Sequence, residues 1–349
     1  NVFGSGAAEI YINGRKMRDA SELEQLESNN IKSVEVVRNP GARYDASVAA
    51  VIRIFTKKPE GEGFGFNNRT GIYYRYNWSE LNQFNFNYRK GGFDLGGMLF
   101  GSDYKFENNK IITQKTYLDK VWTQNSDMKN PTHSQYLSAM LSLNYQFNEN
   151  HVMGVRYDFN RSPKTEMRAY MNSSIHVDNL LEEESKSKLH SNTTNNSHTV
   201  NAYYNGSFND WKVDFNVDGM WIDNNNPTVS EENVKKPDNT EDNRIIHTLG
   251  NSSNELYAAK LIMDHPLWGG SFSIGSEYTY SNRIDRYAND ENIIPDNENR
   301  IRENAVSAFA MYARSFGQLQ AQAGVRYEHL GSDYYEFGKR MDEQSRTYD

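Results

Sequence analysis

This chain of 349 residues is polar yet rich in rings, with 37% hydrophobic residues and 13% Phe, Trp and Tyr. Its formal net charge of -8 argues against a nucleic-acid-binding protein, because such a protein needs a basic surface to neutralise phosphates. The absence of cysteine excludes disulfide scaffolds, thiolate zinc sites and cysteine nucleophiles. No apolar run reaches the roughly 18 residues of a transmembrane helix, a criterion that leaves transmembrane β-barrels open.

The first sixty residues predict a small α/β unit. EIYING indicates a short strand that ends in an Asn-Gly turn, and ASELEQLES indicates a helix in which Ser21 and Glu24 have capping-box spacing. VEVVR and VAAVIRIF follow as two apolar strands. Between them, Pro40 fixes φ and Gly41 supplies the turn geometry. Strands this apolar need cover on both sides, which the interior of a barrel would provide.

From about Phe64 onward, segments of roughly ten residues alternate polar and apolar side chains with a period of two, the signature of strands. In LNQFNFNYRK, for example, Phe84, Phe86 and Tyr88 share one face, and the side chains between them share the other. The pattern predicts an antiparallel sheet with one apolar and one polar face. The predicted lipid-facing set includes Leu137, Leu141, Leu143, Val155 and Tyr157, and the predicted interior set includes Asn144, Arg156 and Asp158.

The predicted connections alternate between very short turns and long polar segments. The long segments cover roughly residues 103–132, 161–196, 223–254 and 282–304. Outer-membrane barrels have short turns at one end and long loops at the other. A soluble β-sandwich is the alternative, but it gives no reason for aromatic residues such as Phe147, Phe208 and Phe316 to precede the short turns. Aromatic girdles at a lipid interface explain why these residues precede the turns.

The alternation gives about eleven strands, whereas single-chain bacterial barrels use even numbers and plugged transporters have about 22. The last predicted strand also runs into a polar segment without a closing partner. We therefore expect the chain to be mainly β and to hold about half of a transmembrane antiparallel β-barrel of about 22 strands.

A family resemblance lies in the N-terminal residues. IKSVEVVRNPGARYDASVAAVIRIFTKK resembles the end of the plug domain of TonB-dependent outer-membrane receptors, where a strand ending in Arg precedes a turn, a Tyr, small residues and a strand ending in Thr-Lys. IYINGRKMRD is similar to the first strand of that half-plug. NPGARYD resembles a Bacteroidetes-like subgroup with a generic outer-membrane β-barrel domain. The match departs from the common pattern at Asp45, where Gly is usual, and at Ala50 to Arg53, where Gly-Val-Ile-Asn is usual.

The resemblance implies that residues 1–60 are the C-terminal half of a plug domain and residues 61–349 the first part of a β-barrel with long extracellular loops. It implies an outer-membrane receptor that binds a scarce or bulky nutrient, such as a glycan, peptide or iron chelate. Import would use a TonB-type energising protein, through a segment absent from these residues. Outer-membrane lipid and a surface lipoprotein are further expected partners. The alternative is an adhesion or partner-binding barrel that transports nothing.

In a plugged barrel the ligand would lie between the plug and the long loops. The candidate ligand-binding residues are Arg43, Tyr44, Tyr117, Trp122, Tyr170 and Trp221. For Trp122 and Trp221, anchoring at the membrane interface is the alternative role. Arg38 is expected to pair with a wall carboxylate, because a cation in a narrow lumen needs a partner or water. The alternative for Arg38 is an ordinary solvated side chain.

Patterns of catalytic or metal chemistry are missing from the sequence. The eight His residues form no HExxH motif, and the Asp- and Asn-rich clusters match no EF-hand spacing. No nucleophile elbow brackets a serine. The sequence therefore predicts no enzyme, no catalytic residue, no cofactor and no metal site.

Overall fold

The computed structural model describes residues 8–12, 15–17, 23, 26, 28, 31–37, 40–44, 48, 50–57, 61–293, 295–317 and 319–349. These residues form a four-stranded sheet near the N-terminus, here called the N-terminal sheet, and a 15-stranded sheet, here called the wall sheet. In the part of the chain that the structure describes, no helix is long and apolar enough to cross a membrane.

The N-terminal sheet is built around one apolar strand. Its strands are β1 (Ala8–Ile12), β2 (Arg15–Lys16), β3 (Ile31–Val37) and β4 (Ala50–Thr56). The order is β2-β1-β4-β3, with β1 parallel and β3 antiparallel to β4. Ala50 and Val51 on β4, the strand paired with both β1 and β3, are completely buried. A 3-10 turn at Gly41–Arg43 connects β3 to β4. Most of the predicted helix, with Ser21 and Glu24, lies outside the described residues.

The wall sheet is an antiparallel meander. Its strands are β5 (Gly63–Arg75), β6 (Asn77–Lys90), β7 (Phe93–Glu107), β8 (Lys110–Tyr117), β9 (Val121–Lys129), β10 (Pro131–Asn148), β11 (His151–Val177), β12 (Leu180–Phe208), β13 (Trp211–Lys235), β14 (Glu241–Leu267), β15 (Gly270–Asn289), β16 (Asn297–Phe316), β17 (Leu319–Glu336), β18 (Lys339–Arg340) and β19 (Arg346–Tyr348). Successive long strands pair from β5 to β7 and from β10 to β17. The hairpin β8–β9 joins this path through β9 and β11. The predicted antiparallel β fold is confirmed.

The two faces of the wall sheet have opposite chemistry. On one face, Leu141 lies opposite Tyr157 and Leu143 opposite Val155, and all four side chains are exposed. On the other face, Arg156 donates to Asp158 at 2.6 Å and the Tyr203 hydroxyl donates to Asn144 at 2.8 Å. The predicted assignment of these residues to an apolar and a polar face is confirmed. Exposed apolar side chains on one side and hydrogen-bonded polar ones on the other are typical of a membrane barrel wall.

Two bands of rings border the apolar face. One lies beside the short turns and includes Phe147, His151, Phe208, Trp211 and His265. The other includes Phe159, His198, Trp221, Tyr257 and Tyr280. Trp211 and Trp221 stand on the same face of β13, so they are about 34 Å apart along the strand at roughly 3.4 Å per residue. A strand tilt of about 40° reduces this to a height of about 25 Å, the height of the apolar band of an outer-membrane barrel.

Beyond the second aromatic band the strands continue as long β-hairpins. Residues 161–196, for example, carry β11 and β12 outward to a tight turn at Asp178 and Asn179, which both have positive φ. Much of what the sequence predicts as long loops is therefore paired strand. Both faces of these hairpins are largely polar, so the alternation that marks a strand in the sequence becomes weak. The backbone hydrogen bonds that hold the hairpins are independent of that alternation.

The assignment of faces predicts unequal effects for two neighbouring substitutions. Leu141→Arg places a charge on the apolar face and should cost about 2 to 4 kcal/mol of unfolding free energy, whereas Ser142→Arg on the polar face should cost much less. Urea unfolding of the full-length protein in lipid measures both variants. Equal losses for the two variants would contradict the register.

Candidate functional site

The described contacts between the N-terminal sheet and the wall centre on the turn at Gly41–Arg43. This turn packs against the polar face of β15, β16 and β17. Gly41 has a φ of 70°, and a side chain at this position would collide with Gln322 of β17. A Cβ on Gly324 would likewise lie 2.9 Å from the Cβ of Ala42. Glycine on both sides therefore allows the turn and the wall to approach closely.

An ion pair joins this turn to the wall. The Arg43 guanidinium lies 3.4 Å from both carboxylate oxygens of Asp264 on β14. Asp264 also accepts a hydrogen bond from the Ser273 hydroxyl on β15. The two charged side chains are only 26% and 25% exposed. A charge so shielded from water is costly without a partner, so each of the pair stabilises the placement of the other.

A wall lysine lies between two tyrosines of the N-terminal segment. The Tyr11 and Tyr44 rings meet edge to face with their centroids 5.5 Å apart. The Lys260 ammonium of β14 lies 5.6 Å from each centroid and 3.3 Å from the Glu277 carboxylate. Burial raises the pKa of both phenols above the usual value. The rings therefore stay neutral and present their faces to a cation.

These five residues, Tyr11, Arg43, Tyr44, Lys260 and Asp264, are here called the docking cluster. Three of them come from the N-terminal segment, and Lys260 and Asp264 come from one face of β14, where Ile262 lies between them. The arrangement pairs charges and stacks rings. Among the described residues, no three His, Asp or Glu side chains lie close enough together to hold a metal ion.

The sequence-predicted ligand residues fall into three places. Arg43 and Tyr44 lie in the docking cluster. Tyr117, Trp122 and Tyr170 lie further out, in the sheet extension formed by β8, β9 and β11, where Tyr170 is opposite Lys129 of β9. The structure thus brings together two subsets of the predicted residues, on different parts of the wall.

Trp221, the remaining predicted residue, faces the opposite way. It stands on the apolar face of β13, and its indole nitrogen donates to the Tyr257 hydroxyl at 3.0 Å. This placement in the second aromatic band matches the interface anchor that the sequence offers as the alternative. Arg38, the predicted plug residue of an ion pair, lies outside the described residues.

The sequence analysis missed Lys260 and Asp264 as partners. Both lie in the segment YAAKLIMD, four residues apart on the interior face of β14, and the three residues between them are apolar. Charges at interior positions of a wall strand are the available signal, because such charges need partners across the lumen. That signal indicates that these residues have a contact, but it does not identify the partner residue.

A shallow cavity lies at the far ends of the hairpins. It has a volume of about 210 Å³ and is lined by Glu183, Val234, Lys236, Thr240, Asp242 and Arg244. Arg244 is engaged by Glu232 at 2.7 Å, and this pairing raises the pKa of its guanidinium. Charges of both signs around the cavity suit a polar ligand that carries hydrogen-bond donors and acceptors.

A histidine and a carboxylate join β14 to the connection between β15 and β16. His247 Nδ1 lies 2.6 Å from one oxygen of Glu291, and the His247 backbone N–H donates to the other oxygen at 2.7 Å. The hydrogen bond to Glu291 raises the pKa of His247, and the same contact lowers the pKa of Glu291. The contact is exposed and lies beyond the second aromatic band, on the part of the wall that water reaches.

Comparison with protein families gives one match. Residues 210–349, which contain β13 to β19, match the family described as outer membrane protein beta-barrel family. Curated protein sequences give no match to this chain. The match covers strands of the two-faced wall sheet that carry both aromatic bands. These residues are similar to an outer-membrane β-barrel, and the predicted location in the outer membrane is confirmed.

Several solved structures are similar in part. BauA, the ferric preacinetobactin receptor from Acinetobacter baumannii, shares 11% identity at a TM-score of 0.33, over 98% of this chain and 70% of that chain. The siderophore receptor PiuA from the same organism shares 9% at a TM-score of 0.31, over 93% and 62%. The ferric citrate transporter FecA, in its unliganded form, shares 9% at a TM-score of 0.30, over 94% and 65%. This chain thus spans between 62% and 70% of the three receptor chains.

The ion pair between Arg43 and Asp264 predicts a coupled loss of stability. Arg43→Ala and Asp264→Asn should each release the turn from the wall, with a coupling energy of about 1 kcal/mol in a double-mutant cycle. Amide hydrogen exchange at residues 41–44 should rise in both variants. The matched control is Arg53→Ala, which removes the exposed 3.3 Å pair with Glu35 inside the N-terminal sheet. Unchanged protection in Arg43→Ala would contradict the docking role.

The hydrogen bond between Trp221 and Tyr257 predicts a small anchoring energy. Trp221→Phe and Tyr257→Phe each remove this bond and should each lower the unfolding free energy by about 0.5 to 1.5 kcal/mol. The double variant should lose less than the sum of the two, because both substitutions break one bond. Additive losses in urea unfolding would show that the bond contributes nothing.

The contact between His247 and Glu291 predicts a shifted titration. The raised pKa means that, while Glu291 stays ionised, the contact is at full strength below about pH 6.5, the ordinary value for histidine, and is lost as pH rises through the higher folded value. NMR titration of ring-labelled histidine in the full-length protein should therefore give a His247 pKa above the ordinary value. Glu291→Gln should return the His247 pKa toward the ordinary value, and an unaltered pKa in this variant would refute the assigned partner.

Proposed function

We propose that this outer-membrane barrel protein is a receptor that binds a scarce or bulky nutrient and imports it with TonB-type energy coupling. Residues 1–60 would serve as part of a plug, and residues 61–349 as part of the barrel around it. The supporting observation is the docking cluster. Through it, an N-terminal sheet is fixed to the polar face of a wall whose other face is apolar.

The polar face explains why a plug would be needed. A barrel wide enough to pass a bulky solute would leak if its lumen were open, so a seated domain must close it until ligand is bound. The docking cluster holds that domain through a partly exposed ion pair and a cation between two rings, contacts of about 1 kcal/mol each. Contacts of this size are strong enough together to keep the domain seated and weak enough singly to release under an applied pull.

The proposed ligand contacts are Arg43 and Tyr44 on the seated turn, with Tyr117, Trp122 and Tyr170 on the outer sheet extension. Rings on polar hairpins expose apolar surface to water, and Tyr117 is 72% exposed and Trp122 41% exposed. Such rings favour ligands with flat or apolar surfaces, and the neighbouring amides and hydroxyls add hydrogen bonds. Glycans, peptides and iron chelates all have these features. A surface lipoprotein and a TonB-type protein remain proposed partners.

A second candidate function is partner binding or adhesion without transport. The hairpin β11–β12 supports it, because the hairpin reaches 18 residues beyond Phe159, from Asn160 to Val177 on β11. At roughly 3.3 Å per residue this is a projection of about 60 Å along the strand. A paired sheet of this length offers a large recognition surface to a second macromolecule.

Growth on defined nutrients distinguishes the two functions. A strain that lacks the gene should grow poorly on at least one bulky nutrient supplied as the limiting source, and the full-length gene should restore growth. An adhesin predicts normal growth on every source. The nutrient that shows the defect then becomes the ligand for binding measurements.

The two tryptophans supply a matched binding test with that nutrient. Trp122→Ala in the full-length protein should weaken its binding by about 1 kcal/mol or more, because the ring would be a contact in a small binding site. Trp221→Ala should leave the affinity unchanged, because Trp221 stands on the apolar face. Tryptophan fluorescence or calorimetry measures both. If Trp221→Ala alone weakens binding, the proposed site is wrong.

A further inference from the structure

We propose that Arg300 and Arg302 form a binding site for the phosphate group of a membrane lipid on the outside of the barrel. Both are half-buried residues of β16, two positions apart on the same face of the strand. The inference depends on where that face points, how the two guanidinium groups are held, and which carboxylates near them are already paired.

The strand pairing places both arginines on the lipid side of the wall. Residues directly opposite one another on antiparallel strands share a face. Trp221 is opposite Glu255, Glu255 opposite Asn282, and Asn282 opposite Arg302. Arg302 therefore shares the outward face of Trp221, and Arg300 follows on the same face.

The height of the pair matches the lipid headgroups. Tyr280 in the second aromatic band lies opposite Asn304. Arg302 is the next residue of β16 on the outward face, one step further from the membrane centre. Two residues of a tilted strand correspond to about 5 Å of height, so Arg302 and Arg300 stand about 5 and 10 Å above that band. The polar headgroup region begins at the aromatic band and is several ångströms thick.

Local contacts hold both guanidinium groups. Arg300 Nε donates to the Asn282 side chain at 2.7 Å. The Arg302 guanidinium lies over the Tyr335 ring, 5.5 Å from its centroid. Arg302 Nε is buried and has no hydrogen-bond partner. A phosphate oxygen is well suited to the N–H groups of the arginine fork.

The nearest carboxylates are paired with other cations. Asp333, opposite Arg302, binds Arg340 at 2.8 Å, and Glu298 binds Arg286 at 3.0 Å. Glu255 is on the same outward face, but Asn282 separates it from Arg302. Within the described ranges, no carboxylate lies within ion-pairing distance of Arg300 or Arg302. The two positive charges are thus left for an anion that comes from outside the wall.

A lipid is the source that this location favours. The site opens toward the membrane, immediately above an apolar band that would contact the acyl chains. A lipid phosphate is delivered at that height by the bilayer itself. A free phosphate gains nothing from the apolar band, which gives an experimental distinction between the two sources.

The test measures binding of dihexanoyl phosphatidic acid to the full-length protein in non-ionic detergent by native mass spectrometry. Arg300→Gln and Arg302→Gln should each weaken binding about five-fold, the effect of about 1 kcal/mol for a cation near a headgroup. Arg283→Gln is the matched control, because Arg283 points to the opposite face and is paired with Asp285. Its affinity should equal that of the unaltered protein.

Two further probes identify the source of the anion. Dihexanoyl glycerol, which lacks the phosphate, should bind at least five-fold more weakly than the phosphatidic acid. Inorganic phosphate at the concentration of the lipid should displace little of it. Equal binding of the two lipids, displacement by inorganic phosphate, or full affinity in both arginine variants would each overturn the proposal.

Each variant is checked for correct folding by heat-modifiable migration on gels, a property that it must retain. If Arg302→Gln loses it, Arg302→Lys replaces that variant. Lysine keeps the charge but loses the planar fork, so binding should fall by less than in Arg300→Gln. Full affinity in both Arg302→Lys and Arg300→Gln would again overturn the proposal.

Discussion

Backbone hydrogen bonding in lipid is the constraint on which the rest of this structure depends. A strand that crosses a membrane has no water to satisfy its N–H and C=O groups, so each strand must pair with neighbours on both sides. The long antiparallel strands between β6 and β16 meet this need with a nearly uninterrupted register. Because the ladder satisfies the hydrogen bonds of the backbone, the side chains on the two faces can differ in polarity and suit lipid on one side and water on the other.

The polar face creates a second problem, which the docking cluster solves. Charged groups such as Asp264 and Lys260 stand on a wall strand where partners are scarce. The N-terminal segment supplies a guanidinium to one and two aromatic rings to the other. The ion pair that neutralises Asp264 also positions the segment, so seating of the N-terminal sheet and neutralisation of Asp264 are one event.

The apolar face shows how the environment changes along each strand. Between the aromatic bands most outward residues are aliphatic or aromatic, and above the second band they become Arg, Asn and Glu without any break in pairing. The hairpins beyond it stay in register although both their faces are polar. Their cross-strand contacts, such as Lys188 with Glu231 at 4.0 Å, are exposed and individually weak. The hairpins are held together mainly by the hydrogen bonds of the backbone ladder.

The sequence by itself determined the two faces of the wall, because side-chain alternation repeats the period of the strand and survives wherever lipid and water lie on opposite sides. It also located the rings at strand ends. It could not show that the outer segments are paired strand, because polar residues on both faces erase the alternation. Only the tertiary structure decided that Arg43 meets Asp264, residues separated by more than half the chain, and that Trp221 belongs to the apolar face. Such contacts depend on how β14 is placed against a distant turn, a geometry that is absent from local sequence.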